Sequence, residues 1–378
     1  MSGRRLSFND TDYDNTNANV APHLAKVIAS INLARMAKNH CLKKGVGTGR
    51  EDDLQSIGTM KRIGNIYKLI CSWDNIMLAN QRARKGKGGQ HGIKQFDKAR
   101  GCNLMLLHYE LVSKSYKTSP YKTFKVYEPK ERVVYQLPFR DRIAQHAIMN
   151  ELEGVFTAMF TADSYSCIKG KGIHGASYAL RDGLKDHANS EYYLQLDIKK
   201  FYPSVDHDVL KALLRRKFKD TDLLWLLYSI IDSAPGIPIG NYLSQYFANF
   251  YLTYFDHWLK EQYGALYYYR YADDIVLLSG SKDYLHAARV AITEYLRTEL
   301  NLIVKGNYKV CPVSTGINFV GYVHYHTHVR LRPSIKKRFA RKLKRGAGRA
   351  TIASYTGWTK HGNCKNLVKK LLHERKEF

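Results

Sequence analysis

Two adjacent carboxylates in the segment Tyr271-Ala272-Asp273-Asp274 have the residue types and spacing that could bind a divalent cation. They lie between two apolar runs, Leu266 to Tyr269 and Ile275 to Leu278, so the pattern predicts two strands joined by an acidic turn. Carboxylates at such a turn are held rigidly yet stay accessible, and Mg²⁺ typically takes one or two carboxylates together with substrate phosphates. The alternative is an ordinary solvated turn, where Asp is a common residue.

A third carboxylate, Asp197, belongs to the alternating segment 192–199, which places apolar residues on one face and Asp197 on the other. Such alternation is typical of a half-buried strand, and Phe201-Tyr202-Pro203 ends it because Pro cannot continue a central ladder. If this strand pairs with the acidic hairpin, Asp197 and Asp273 converge. Two metal ions held there could activate a hydroxyl and stabilise the leaving oxygen of an in-line phosphoryl displacement. The alternative is a strand-end acid that faces water.

The composition indicates a polyanionic partner. The chain has 378 residues, 44% hydrophobic and 25% charged, and 60 Lys and Arg against 33 Asp and Glu give a net charge of +27. Such an excess favours phosphate backbones, and the 28 tyrosines could stack on single-stranded bases or simply fill the core. No apolar run approaches ~18 residues and no signal peptide opens the chain, so no membrane association is expected. Six cysteines without a C-x-x-C pair indicate reduced thiols and a cytoplasmic protein.

The elements that must position these acids form an α+β pattern, with helices packed on one face of an antiparallel sheet. Residues 1–20 are expected to be disordered, and 82–92 and 169–172 form basic, glycine-rich loops that either cradle phosphates or act as linkers. A strand pair is predicted over 121–135 and a final hairpin over 317–331. Helices are predicted near 104–111, 140–156, 209–218, 223–231, 243–258, 284–300 and 352–358.

The tail from Ser334 is strongly basic. Its cluster predicts a nucleic-acid clamp rather than a solvated helix face, because solvated faces usually mix both signs. The candidate nucleic-acid contacts are Lys169 and Lys171 of the second loop and Lys336, Lys337, Arg338, Arg341, Lys342, Lys344 and Arg345 of the tail. His324, His326 and His328 alternate, which is compatible with a metal site but better explained by the solvated face of a hairpin.

The order of these motifs resembles that of reverse transcriptases. Asp197 with Phe201-Tyr202 is followed by Gly236-Ile237-Pro238-Ile239-Gly240, then by Ser244-Gln245, and then by the Tyr-Ala-Asp-Asp turn. The resemblance spans roughly residue 66 to the C-terminus and implies a right-hand polymerase. It implies an N-terminal extension of unknown role over 1–60, fingers over 61–192, a palm over 193–330 with finger segments near 225–245, and a thumb over 331–378.

Within reverse transcriptases, Ile239 replaces the Gln of the retroviral and group II intron pattern, and this variant resembles diversity-generating retroelements. Further stretches are similar to that family, namely Tyr127-Glu128-Pro129-Lys130, Leu137 to Arg142, Tyr165 to Gly172, Gly316 to Tyr322, and Leu331-Arg332-Pro333-Ser334. The resemblance implies copying of a template RNA into cDNA with errors at adenines, and a small, basic accessory protein as partner. Ile239 cannot hydrogen-bond around the new base pair, so we expect it to lower fidelity.

The resemblance also implies roles for individual residues. Asp197, Ile198, Asp273 and Asp274 would hold two Mg²⁺ ions, with Asp197, Asp273 and Asp274 as the catalytic acids. Tyr202 would exclude a ribose 2′-OH, while Lys130 and Arg132 would hold the triphosphate. The remaining dNTP-binding candidates are Ile239, Gly240, Gln245 and Lys309, and Lys305 competes with Lys309 for the place near the leaving group.

Two other functions compete with this interpretation. An antiviral-defence or retron-like reverse transcriptase shares the palm motifs, although the Val-Thr-Gly usual in retron thumbs is absent here. A non-catalytic, maturase-like RNA-binding scaffold would explain the charge but not three carboxylates beside a phosphate backbone. The expected partners are template RNA, the RNA/cDNA duplex and dNTPs, in a bacterial or phage-encoded system.

Overall fold

The structure, a computed structural model, describes residues 62–127, 131–364, 366–367 and 371. The predicted disordered start, the whole predicted N-terminal extension over 1–60, and Lys130 lie outside the described residues. No helix among the described residues combines the length and apolar character that a membrane span needs.

Antiparallel strands form three sheets in the described part of the chain. The strands are β1 (Lys122–Val126), β2 (Arg132–Gln136), β3 (Tyr192–Asp197), β4 (Tyr267–Tyr271), β5 (Asp274–Ser279), β6 (Lys309–Pro312), β7 (Ile317–Phe319), β8 (Tyr322–His324) and β9 (Val329–Leu331). β1 pairs with β2, the central sheet has the order β4-β5-β3-β6, and the last sheet has the order β7-β8-β9. The predicted final hairpin therefore contains three short strands rather than two.

Helices pack around these sheets. They are α1 (Tyr67–Ile70), α2 (Trp73–Arg84), α3 (His91–Asp97), α4 (Arg100–Val112), α5 (Phe139–Met159), α6 (Ile173–Gly183), α7 (His207–Lys217), α8 (Thr221–Ile231), α9 (Tyr242–His257), α10 (Lys282–Leu300), α11 (Pro333–Lys344) and α12 (Arg349–Thr359). The predicted α+β class is confirmed, and so is each predicted helix and the first strand pair.

Both faces of the central sheet are buried, so the prediction of helices on one face is wrong. Leu194 and Leu277 join the main core, to which α9 and α10 contribute. Tyr193 and Val276 point the other way, into a second cluster that includes Leu180 of α6. The prediction missed α6 because this short helix contains two glycines, which lower helix propensity by roughly 1 kcal/mol each. The catalytic candidates thus lie at the end of a sheet that is fixed from both sides.

Candidate active site

The central sheet brings the three predicted carboxylates to one end. β3 ends at Asp197 and β5 begins at Asp274, and these two residues are register partners in the antiparallel pair. Asp273 occupies the turn between β4 and β5, where its carbonyl oxygen lies 3.4 Å from the amide nitrogen of Ile198. Ala272 in the same turn has a φ of 54°, in the left-handed region. Asp197, Ile198, Asp273 and Asp274 are therefore grouped, as the sequence predicts.

The electrostatics of this group favour a cation. Burial, and then the charge of Asp197, raises the pKa of Asp273. Burial raises the pKa of Asp274 to about 7, against a hydrogen bond from Gln195 that lowers it. The Asp197 side chain is 39% exposed, but its Oδ1 atom is buried without a hydrogen-bond partner among the described residues. Closely spaced carboxylates that are costly to charge are stabilised when a metal ion binds between them.

Other side chains contact two of these carboxylates. The Lys305 Nζ lies 2.5 Å from Asp197 Oδ2, and the Gln195 amide donates to Asp274 Oδ1 at 3.0 Å. As arranged here, no three carboxylate, imidazole or thiol groups of the described residues gather closely enough to hold an ion. The donors still fit Mg²⁺ in kind, since all are carboxylate oxygens and one of them is buried without a partner. An ion at this place would take the contact that Lys305 now makes.

The nucleotide candidates lie beside the acids. Burial raises the pKa of Tyr202 to about 12, with smaller contributions from the charges of Cys167, Asp273 and Tyr271. The Tyr202 carbonyl accepts a hydrogen bond from Ile237 N at 2.9 Å. Tyr202 and the loop 236–240 are thereby joined.

The same loop contacts the β1–β2 hairpin. Tyr135 N donates to Ile239 O at 2.8 Å, and Gly240 approaches so closely that an added Cβ would lie 2.3 Å from Tyr135 O. Arg132 is the exposed first residue of β2, and its charge lowers the pKa of Tyr202. The loop that contains Ile239 and Gly240 therefore contacts both Tyr202 and the strand that begins at Arg132.

Gln245 lines a cavity of about 380 Å³ that Tyr135 and Gly240 also border. Gln145 Oε1 accepts from Tyr242 N at 2.9 Å and fixes the start of α9, the helix that carries Gln245. Several cationic side chains line this cavity and the one next to it. The cavity and an adjoining one of about 320 Å³ are lined by Arg82, Lys87, Arg142, His146, Lys169 and Tyr242, which we call the fingers groove.

Stacking and charge are combined in the fingers groove. The rings of His146 and Tyr242 stack with centroids 4.4 Å apart. Burial, together with the charges of Arg142, Lys87 and Arg82, lowers the pKa of His146 to about 4. A neutral imidazole stacked on a phenol among cations suits an aromatic base with its phosphates.

The other predicted lysines differ in what they contact. Lys309 is exposed on β6, opposite Gln195, whereas Lys305 reaches Asp197. The Lys171 ammonium donates to the carbonyls of Thr161, Ala162 and Ser164 at 2.8–3.2 Å, which uses its three donors within the protein. Lys169 is exposed and lines the fingers groove.

The basic tail forms α11, which is held by its apolar side. Phe339 and Leu343 are buried, and Phe339 stacks on Tyr355 of α12 with centroids 4.8 Å apart. Six of the seven predicted contacts are exposed, and Arg338 is half-buried; the exposed ones are Lys336, Lys337, Arg341, Lys342, Lys344 and Arg345. One face of α11 is therefore a dense cationic surface.

Sequence reasoning missed two polar residues near the acids and misjudged one histidine. Gln195 bonds Asp274, and the charge of Arg332 lowers the pKa of that carboxyl, but neither stands in a distinctive pattern. The available signal for Gln195 was its position two residues before Asp197, which places both side chains on the same face of the strand. His324 is fully buried between Ser177 Oγ and Ile317 O, so the expectation of a solvated histidine face is wrong for it.

Comparison with known proteins supplies the family. A family model described as reverse transcriptase (RNA-dependent DNA polymerase) matches residues 121–324. Protein YkfC of Escherichia coli (strain K12) is 25% identical over 317 residues, covering 69% of this chain and 83% of that protein. The Retron Ec73 reverse transcriptase of Escherichia coli is 28% identical over 227 residues, covering 54% and 68%.

A solved structure of apo telomerase from Candida tropicalis matches with a TM-score of 0.44 and 13% identity, and the chain covers about half (52%) of it, using 60% of its own length. The family match covers more than half of this chain and includes β3, the acidic turn and the loop 236–240. The chain therefore belongs to the reverse transcriptases, the family of RNA-dependent DNA polymerases.

Proposed function

We propose that this chain copies an RNA template into DNA by metal-assisted nucleotidyl transfer, with Asp197 and Asp273 as the main metal ligands and Asp274 beside them. The placement of Asp197, Asp273 and Asp274 at one end of the central sheet supports this proposal most directly. Two Mg²⁺ ions, when bound, would polarise the attacking hydroxyl and offset charge on the leaving group. The chain's own residues orient these ions and the substrates.

The incoming dNTP would lie between Tyr202, the loop 236–240 and β2. In that place the Tyr202 ring would collide with a ribose 2′-OH, and Arg132, together with Lys130, would bind the triphosphate. Of the two lysines considered for the leaving group, we favour Lys305 over Lys309, because Lys305 already contacts Asp197 at 2.5 Å. The Ile239 side chain would face the new base pair without any hydrogen-bonding group.

Template RNA would pass through the fingers groove, and the RNA/cDNA duplex would contact the cationic face of α11. The His146–Tyr242 stack offers a surface for a base, and Lys87, Arg142 and Lys169 offer partners for phosphates. In this proposal the fingers comprise 61–192, the palm comprises 193–330 with finger segments near 225–245, and the thumb comprises 331–378.

The subtype we favour is the error-prone enzyme of a diversity-generating retroelement, working with a small basic accessory protein. Ile239-Gly240 and the other stretches similar to that family support it. A retron-like enzyme is the second candidate, supported by the 28% identity to the Retron Ec73 reverse transcriptase. Sequencing the cDNA separates the two, because only the first predicts substitutions concentrated opposite template adenines.

Primer extension on an RNA template tests the polymerase proposal. We expect Asp273→Asn to lower Mg²⁺-dependent dNTP incorporation by at least about 1,000-fold, equivalent to about 4 kcal/mol of transition-state stabilisation. Asp182→Asn is the matched control, because Asp182 is exposed and pairs only with its neighbour Lys185 in the described structure. Incorporation that persists in Asp273→Asn would contradict the proposal, and RNA binding without any incorporation by the unmodified chain would favour the scaffold.

A further inference from the structure

A buried arginine lies directly behind the acidic turn. Arg270 of β4 and Asp256 of α9 are both fully buried, and Arg270 Nε donates to Asp256 Oδ1 at 2.7 Å while Nη2 donates to Oδ2 at 2.5 Å. Nη2 also donates to Ser164 Oγ at 3.0 Å. A buried ion pair is costly to desolvate and is a weak source of stability, so its presence beside a reactive turn calls for a different explanation.

One donor of this guanidinium reaches the turn itself. Arg270 Nη1 donates to Ala272 O at 3.1 Å and to Asn249 Oδ1 at 3.3 Å. The Ala272 carbonyl belongs to the peptide group between Ala272 and Asp273. This hydrogen bond therefore restrains the orientation of that peptide group and, with it, the direction of the Asp273 side chain. Ala272 needs such support, because its φ of 54° costs a non-glycine residue roughly 1–2 kcal/mol.

The main chain of Arg270 is also held. Arg270 N donates to Asp163 O at 2.9 Å, and Tyr165 N donates to Arg270 O at 3.0 Å, so the segment around Ser164 runs alongside β4. With the backbone fixed on one side and Asp256 on the other, the guanidinium has one orientation. The hydrogen bond to Ala272 O is therefore made by a buried side chain in a fixed orientation, not by a mobile surface side chain.

We propose that Arg270 is a positioning residue, whose Nη1 contact with Ala272 O holds the left-handed turn so that the Asp273 carboxylate meets Asp197. This inference rests on the proposed polymerase function. Arg270 touches no substrate in this scheme and acts only through the turn. Its loss should lower the rate of the chemical step more than it lowers substrate binding.

Arg270→Lys is the central variant, because lysine keeps a charge for Asp256 but cannot also present a second nitrogen to Ala272 O. We expect kcat for dNTP incorporation to fall about 10- to 100-fold while KM for dNTP stays within about two-fold. Mn²⁺ binding, followed by electron paramagnetic resonance, should weaken at least about five-fold without any need for turnover. Adding Ala272→Gly should restore part of kcat and of Mn²⁺ affinity, because glycine adopts this φ without the hydrogen bond from Arg270.

Tyr268→Phe is the matched control. It removes the 2.6 Å hydrogen bond from the Tyr268 hydroxyl to Asp256 Oδ1, the oxygen that Arg270 Nε also contacts, and leaves the turn unchanged. We therefore expect kcat to stay within about two-fold. If Arg270→Lys does not fold, the double variant Arg270→Met with Asp256→Leu removes the hydrogen bond to Ala272 O without leaving a buried charge unpaired.

Two results would overturn the proposal. One is a loss of kcat in both Tyr268→Phe and Arg270→Lys that is proportional to the drop in melting temperature of each variant. That result would mean that the hydrogen-bond network only stabilises the fold. The other is unchanged Mn²⁺ affinity in Arg270→Lys. Because the Mn²⁺ measurement needs no catalysis, the positioning proposal can fail while the polymerase proposal holds, and an inactive unmodified chain would refute the polymerase proposal alone.

Discussion

Ile239 is a residue whose side chain can be exchanged without moving its backbone. Its carbonyl accepts from Tyr135 N at 2.8 Å, and Ser244 Oγ bonds the preceding Pro238 carbonyl at 2.7 Å. Both contacts are made to main-chain carbonyls of the loop and do not depend on the side chain at 239. A change there should therefore alter the chemistry of the proposed nucleotide site and little else.

We expect Ile239→Gln to lower misincorporation opposite template adenine by about five- to ten-fold, since one gained hydrogen bond contributes about 1 kcal/mol to selection of the correct pair. Sequencing of primer-extension products on an adenine-containing RNA template measures this. Ile239→Val keeps an apolar branched side chain and should leave the error spectrum as it was. Equal error rates for the Gln and Val variants would remove the link between this residue and fidelity.

At the scale of elements, the site depends on how closely the loop 236–240 approaches β2. Gly240 has a φ of 120°, and a Cβ there would lie 2.3 Å from Tyr135 O. No real side chain tolerates that distance, so the loop and β2 would have to separate. Arg132 begins β2, and its place opposite Tyr202 depends on this contact.

Gly240→Ala should therefore raise KM for dNTP about ten-fold or more and lower the free energy of unfolding by about 1–3 kcal/mol. Steady-state kinetics and urea denaturation measure the two effects. Gly264→Ala is the control, because Gly264 has a φ of 80° with open space around its Cβ position. It should share the loss of stability and keep the KM; a raised KM in both variants would show that loss of stability, not the contact with β2, is responsible.

The packing of β8 on α6 depends on a neutral histidine. His324 Nδ1 donates to Ile317 O at 3.3 Å, Nε2 accepts from Ser177 Oγ at 2.8 Å, and burial lowers the pKa of His324 to about 4. The unfolded chain takes up this proton below about pH 6.5, before the folded one does. Stability is therefore complete above that pH and is lost as the pH falls towards 4.

Between pH 7 and pH 5, the His324 contribution to the free energy of unfolding should fall by about 2 kcal/mol. Urea denaturation at the two pH values measures the change. His324→Gln, which cannot be protonated, should show a smaller pH dependence by that amount. Identical pH dependence in the variant and in the unmodified chain would contradict this account.

The sequence was most informative where the pattern is local. Alternation predicted β3, the flanking apolar runs predicted β4 and β5, and these strands suffice to place Asp197 near Asp273. It was silent on contacts between distant segments. The Arg270–Asp256 pair joins a tyrosine-rich strand to a helix that contains no other acidic residue, and no periodicity marks two charges as partners. The burial of His324 likewise depends on α6, which the pattern did not predict.

At the scale of the whole molecule, the chain has a net charge of +27, and four of its cationic side chains, Arg82, Lys87, Arg142 and Lys169, line the proposed substrate path. The fingers groove brings Lys87 and Arg142 to one wall, and burial lowers the pKa of each. Partly desolvated cations gain more from a phosphate than fully solvated ones do. The groove should therefore contribute to RNA binding beyond the general field of the protein.

Replacing both Lys87 and Arg142 with Gln should weaken RNA binding and reduce the slope of log Kd against log salt by about 1.4, since each phosphate contact on a single strand contributes about 0.7. Fluorescence anisotropy with a single-stranded RNA between 50 and 200 mM salt, roughly the range over which such effects are large, measures the slope. The control replaces Lys185 and Arg297 with Gln, because both are exposed and pair with carboxylates three residues away at 2.7 Å. Both double variants remove two positive charges, so only the specific contacts differ between them. Equal slopes would mean that RNA responds to the net charge alone and that the template lies outside the fingers groove.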